Sequence, residues 1–96
     1  MKLLTSEEIQ KKLKKLPVEW AVIDGVHLER VYSFDDFAKA LAFVNKVGKI
    51  AEDHNHHPDI LLSDYKKVTI KTTTHDASNS LTEKDFRIAK SIDEIN

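Results

Sequence analysis

Residues 18–32 read VEWAVIDGVHLERVY, and this stretch decides the fold. Asp24-Gly25 interrupts two apolar runs. A type I′ turn needs positive φ at both central positions, and Asp-Gly meets that need at small steric cost. The pair predicts a hairpin of strands over residues 18–23 and 26–32, in which Val26 and Leu28 alternate against His27 and Glu29. A hairpin with one apolar face implies an antiparallel sheet whose inner face is covered by helices.

Those helices lie on either side of the hairpin. Thr5 and Glu8 have the spacing of a capping box, Ile9, Leu13 and Leu16 recur at helical spacing, and Pro17 stops the chain, so a helix is predicted over residues 6–16. Its Lys11, Lys12, Lys14 and Lys15 read as a solvated face. Downstream, Ser33 with Asp35-Asp36 opens a second helix with acidic residues in its first turn. Phe34, Phe37, Leu41, Val44 and Ala51 form its inner stripe, widened by Ala38, Val47 and Ile50. Gly48 inside it costs about 1 kcal/mol relative to alanine, which a close backbone approach would explain. The helix ends before Pro58, because the residue before proline avoids the α region. Ile60-Leu61-Leu62 is a short strand, and the β-branched alternation of residues 66–74 is another. A loop over residues 76–81 leads to a last helix capped by Thr82 and Asp85, with Phe86, Ala89, Ile92 and Ile95 inward. The order is α-β-β-α-β-β-α: an α+β, two-layer sandwich with a four-stranded antiparallel sheet covered by helices on one face.

Composition narrows the chemistry. With 96 residues the chain is expected to be a single domain spanning residues 1–96. It has no Cys, two Gly, five His and a formal net charge of −1. Zero Cys removes disulfides, thiolate nucleophiles and thiolate zinc sites. Two glycines preclude a Walker or dinucleotide loop. Near-zero net charge argues against direct nucleic-acid binding. The longest apolar run, residues 40–44, is far short of a membrane span, and no signal-peptide core is present, so a cytoplasmic, membrane-free protein is expected.

The histidines concentrate in Glu52-Asp53-His54-Asn55-His56-His57-Pro58-Asp59, just past a helix end. Three readings are open here. A metal site is disfavoured, since neither H-E-x-x-H nor an i, i+4 histidine pair occurs. An exposed polar loop is the bland reading. Acid–base catalysis is the third: histidine exchanges protons near neutrality, and the negative end of a helix favours the imidazolium and disfavours an ionised Glu52, more so where Glu52 is buried. With no nucleophile motif, any catalysis should need only proton transfer.

Spacing separates these readings. Glu52, three residues, His56-His57-Pro58, six residues, Tyr65, nine residues, His75, nine residues, Asp85: this resembles the signature of the pterin-4a-carbinolamine dehydratases, also known as dimerisation cofactors of a homeodomain transcription factor. Trp20, the Gly25 hairpin, Phe34-Asp35-Asp36-Phe37, Thr74-His75-Asp76 and Leu81-Thr82-Glu83-Lys84-Asp85 fit the family pattern in order, over residues 16–94, and the element order is the same.

The resemblance implies a dehydratase that removes water from a 4a-hydroxytetrahydropterin to give quinonoid dihydropterin in tetrahydropterin recycling, without metal, cofactor or nucleophile. It implies His56, His57 and His75 as the acid–base set, with Glu52 orienting or polarising a histidine. Asn55 and the backbone of Thr73, Thr74 and Asp76 would hold the pterin ring beside the histidines. Asp85 has a competing capping role, Tyr65 is a pocket wall or plain core, and His27 and His54 are surface residues. Asn55 stands where animal members have Asp, Asp59-Ile60 replaces an acidic–Trp pair, and Lys84 replaces Arg. A half-bare sheet suggests a homodimer or homotetramer. Two alternatives remain: a non-catalytic binding or coactivator-type module acting through a regulatory protein partner, and a dehydratase-like protein for another pterin, such as one linked to the molybdenum cofactor.

Overall fold

The Asp24-Gly25 turn forms as its residues dictate: φ is 53° at Asp24 and 73° at Gly25, and the Val26 amide donates to the Ile23 carbonyl at 3.1 Å. The computed structural model describes residues 2–96. The elements are α1 (Ser6–Leu13), β1 (Ala21–Ile23), β2 (His27–Ser33), α2 (Phe37–His54), β3 (Asp59–Ser63), β4 (Lys67–Thr72), a 3₁₀ turn (His75–Ala77) and α3 (Glu83–Glu94). The four strands make one antiparallel sheet in the order β1-β2-β4-β3. The fold is the α+β sandwich expected, with Leu28, Tyr32, Val68, Ile70 and Thr72 buried on the helix-covered face and the alternate residues Val31 and Leu61 exposed.

The helix caps are written in the sequence. Thr5 and Glu8 form a reciprocal capping box on α1, and Thr82 and Asp85 form another on α3. The box holds Glu8 below the ordinary carboxylate range, chiefly through the Thr5 amide and then Lys2. The predicted reach of α1 is too long: it ends at Leu13, and Lys15 and Leu16 close tighter turns ahead of Pro17.

Helix α2 departs from expectation in its start and its inward face. Asp36, not Ser33, is the N-cap, accepting from the Lys39 amide at 2.8 Å. Ser33 ends β2, and Phe34 lies before the helix, its ring centroid 5.0 Å from that of Phe43. The buried residues are Ala40, Phe43, Val47 and Ala51, while Phe37 and Leu41 face solvent. The helix carries two apolar stripes, and the one with the larger residues at its start is the outer one. Gly48 has nothing within 4 Å of where a Cβ would stand, so no close approach within the chain explains it. Gly48→Ala is therefore expected to stabilise the folded chain by about 0.5–1 kcal/mol through helix propensity, read as a raised midpoint of thermal unfolding.

Below the sheet, Asp93 of α3 accepts from Trp20 Nε1 at 2.7 Å, Arg30 at 2.8 Å and the Tyr32 hydroxyl at 2.5 Å. Burial, reinforced by Asp93, pushes the Tyr32 phenol well above its ordinary value. The fold thus favours the protonated phenol. That contribution is complete below the unfolded phenol value of about 10 and is lost as pH rises above it. Tyr32→Phe should cost about 1.5–3 kcal/mol near neutrality, as for a hydrogen bond to a charged group. The difference between wild type and variant should shrink above about pH 10, as checked by urea unfolding across pH.

Candidate active site

The topology brings the motif histidines and Asp85 together at one end of the sheet, leaving Tyr65 at the other. Asp59 at the start of β3 pairs with Lys71 near the end of β4. The segment entering β3 (His56-His57-Pro58) and the segment leaving β4 (Thr73 to Asp76) therefore emerge side by side, and α3 begins beside them. A cleft of about 230 Å³ there is lined by Asn55, His56, His57, Thr74, His75, Asp76 and Lys84. This is below the range of about 300–1,000 Å³ usual for ligand pockets, so any ligand held wholly within it would be small.

Asn55 ends α2 in the left-handed region, φ 50°, which asparagine tolerates better than most residues. Its amide and that of His56 return to the last carbonyls of the helix, Glu52 at 3.1 Å and Ala51 at 3.0 Å. The reversal sends successive histidines in opposite directions. His56 is buried, and its Nε2 lies 2.7 Å from Asp85 Oδ1. His57 is 60 % exposed, and its Nε2 lies 2.5 Å from Glu52 Oε2. Each carboxylate can only accept when ionised, so Nε2 carries the proton in each contact and Nδ1 is the remaining nitrogen.

Asp85 has zero exposure and is the hub of this end of the fold. Besides His56 it accepts from Thr72 Oγ1 at 2.7 Å, Thr74 Oγ1 at 2.8 Å and the Thr82 amide at 3.0 Å. Capping and site roles are not alternatives: one oxygen closes the capping box and the other meets His56. Thr72, absent from the predicted site, belongs to this network. Its signal in the sequence was only a polar residue on the inner parity of β4.

Several expectations need correction. Glu52 is 75 % exposed, so the burial invoked for it is missing, and it reaches the site through His57 rather than by lining the cleft. Thr73 also lies outside the lining, its hydroxyl donating to the Val26 carbonyl at 2.7 Å. Tyr65 is neither wall nor core: it is 60 % exposed, at φ 52° in the β3–β4 turn. His54 is half-buried and joins α2 to α3 through Ser91 Oγ at 3.0 Å. Lys84, noted in the sequence only as a replacement for Arg, lines the cleft.

A larger depression of about 460 Å³ lies between the end of α1 and α3, over Leu16, Pro17 and Phe86. It holds no histidine. Its Lys12 pairs with Glu83, and its Asp93 is already occupied by Trp20, Arg30 and Tyr32. The cluster of candidate acid–base residues lines the smaller cleft instead.

The comparisons with known proteins bear on the family. The model of the family described as pterin 4 alpha carbinolamine dehydratase matches residues 2–95. A relative from Picosynechococcus sp., provisionally named a pterin-4-alpha-carbinolamine dehydratase, is 46 % identical over 92 residues, 96 % of each chain. One from Sulfurisphaera tokodaii, provisionally named likewise, is 43 % identical over 95 residues, covering 99 % of this chain and 98 % of that one. The crystal structure of a transcriptional coactivator/pterin dehydratase from Brucella melitensis superposes with a TM-score of 0.88 at 30 % identity, over 98 % of both chains. A pterin dehydratase-like RuBisCO assembly factor of the alpha-carboxysome shares the fold, with a TM-score of 0.66 at 19 % identity over 80 % of this chain and 88 % of that one. With residues 2–95 matched by the family model and the motif histidines gathered on one cleft, the chain belongs to the pterin 4 alpha carbinolamine dehydratase family.

Proposed function

We propose that the protein dehydrates a 4a-hydroxytetrahydropterin to the quinonoid dihydropterin, by proton transfer between the cleft histidines and the substrate, in recycling of tetrahydropterin. The observation that carries this reading is the meeting of His56, His57 and His75 on one cleft, two of them backed by carboxylates. The reaction breaks the C4a–O bond and forms the N5=C4a double bond. One proton goes to the departing hydroxyl, which leaves as water, and one leaves N5. Nothing is oxidised or reduced, which suits a site built from imidazoles. Asn55, Thr74, Asp76 and Lys84 line the same cleft, which supports a role for them in holding the ring.

The assay is dehydration of chemically generated carbinolamine, followed by absorbance. The wild-type protein at micromolar concentration is expected to accelerate water loss well beyond the spontaneous rate. A rate indistinguishable from the protein-free reaction would overturn the reading.

We also propose that the protein is a homo-oligomer. Phe37 and Leu41 on the outer stripe of α2, and Val31 and Leu61 on the bare sheet face, are large apolar residues left 43–59 % exposed, which a second copy would cover. Light scattering after size-exclusion chromatography should give a mass at least twice that of the chain. A monomer would contradict this.

A further inference from the structure

The three cleft histidines are held by chemically different partners. His56 and His57 each engage a carboxylate through Nε2. His75 instead engages through Nδ1, and its partner is a neutral amide: Nδ1 lies 2.8 Å from Asn79 Oδ1. An amide oxygen accepts and does not donate, so Nδ1 carries the proton in this contact. Nε2 is then the ring nitrogen left without a protein partner among the described residues. In water a neutral histidine side chain favours the opposite arrangement, with the proton on Nε2.

The loop is built to make this contact. After the 3₁₀ turn, Ser78 and Asn79 both take left-handed conformations, φ 56° and 58°, and fold the chain back on His75. The Ser78 amide donates to the His75 carbonyl at 3.1 Å. The Thr74 amide donates to the Ser80 carbonyl at 3.0 Å, closing the loop at its base. Thr74 is in turn tied through its hydroxyl to Asp85. Asparagine is among the few residues other than glycine that visit the left-handed region readily, so one residue supplies both the backbone turn and the acceptor.

We infer that Asn79 is a positioning residue for His75: its side-chain oxygen fixes the Nδ1-protonated tautomer and presents the lone pair of Nε2 to the cleft as the proton acceptor. This rests on the dehydratase reading for its consequence in turnover, whereas the tautomer is independent of it. His75 in this state takes a proton and cannot give one through Nε2, so the proton to the departing hydroxyl would come from His56 or His57.

The test uses two variants that tolerate positive φ. Asn79→Gly removes the acceptor and keeps the turn, and Asn79→Asp keeps an acceptor. Long-range proton–nitrogen NMR correlations of the neutral imidazole, at about pH 8.5, should show His75 with Nδ1 protonated in the wild type and in Asn79→Asp. In Asn79→Gly the proton should move mainly to Nε2. Carbinolamine dehydration at the same pH should lose roughly ten-fold in kcat in Asn79→Gly with KM nearly unchanged, a part of the 10²–10⁴ that a positioned acid or base contributes. Asn79→Asp should restore most of it. A wild-type His75 already protonated on Nε2, a pattern unmoved by Asn79→Gly, or equal kcat in both variants and wild type would overturn the inference. A wild type that has the tautomer and yet dehydrates nothing would overturn the functional reading instead.

Discussion

His75→Ala and His57→Ala are each expected to lower kcat/KM for carbinolamine dehydration by roughly 10²–10⁴, the usual contribution of a positioned acid or base. Neither should unfold the protein. His57 is 60 % exposed, and its partner Glu52 is more exposed still. His75 is exposed and bonded to an exposed asparagine. Surface changes of this kind usually shift stability by no more than about 0.5 kcal/mol. Urea unfolding beside the rate assay separates the two effects. If both variants kept the wild-type rate, the histidines would be surface residues and the family likeness would concern the fold alone.

Asp85→Ala is the substitution with the largest expected cost to stability. The side chain is wholly buried and receives four hydrogen bonds, from His56, Thr72, Thr74 and the Thr82 amide. Removing it strands those donors away from water. Each orphaned group costs about 1–3 kcal/mol, and because they share one acceptor the costs do not add. About 3–5 kcal/mol is expected, the range for breaking a buried charged pair, against a total of about 5–15 kcal/mol for a domain of this kind. Urea unfolding should show the midpoint falling with little change in slope. A loss under about 1 kcal/mol would mean that water satisfies the network. Asp85→Asn keeps the volume but turns a donor toward donors, so it should fall between the two in stability and still slow turnover through His56.

How far the sequence could be read depended on whether a feature is local. The Asp24-Gly25 turn and both capping boxes are set by residues within four positions of one another, and all three formed as expected. Helix α2 misled because two apolar stripes share it. Periodicity finds a stripe but not which one meets the sheet, and the buried one is Ala40, Phe43, Val47 and Ala51. Tyr65 misled because an aromatic residue in a family motif suggests a pocket, whereas here its backbone makes a left-handed turn. The site was legible as a list of histidines and not as a set of pairs. His56 meets Asp85 across 29 positions and a chain reversal, which spacing alone does not disclose. Asn79 lies only four residues from His75, yet nothing in its surroundings marks it until the two left-handed residues fold the loop back.

The pairs matter because they order the imidazoles before any ligand arrives. His56 and His57 are oriented through Nε2 and His75 through Nδ1, so the three rings stand with defined nitrogens free. Such preorganisation lowers the entropic cost of reaching a reactive arrangement, which counts most where a reaction moves only protons.

The most direct test is a crystal structure of the protein with a bound dihydropterin analogue. The account predicts one ring in the cleft between the His56-His57 segment and His75, with His75 Nε2 within hydrogen-bond distance of the ring and the bond to Asn79 intact. A ring bound in the depression between α1 and α3, or one that His75 does not reach, would contradict it.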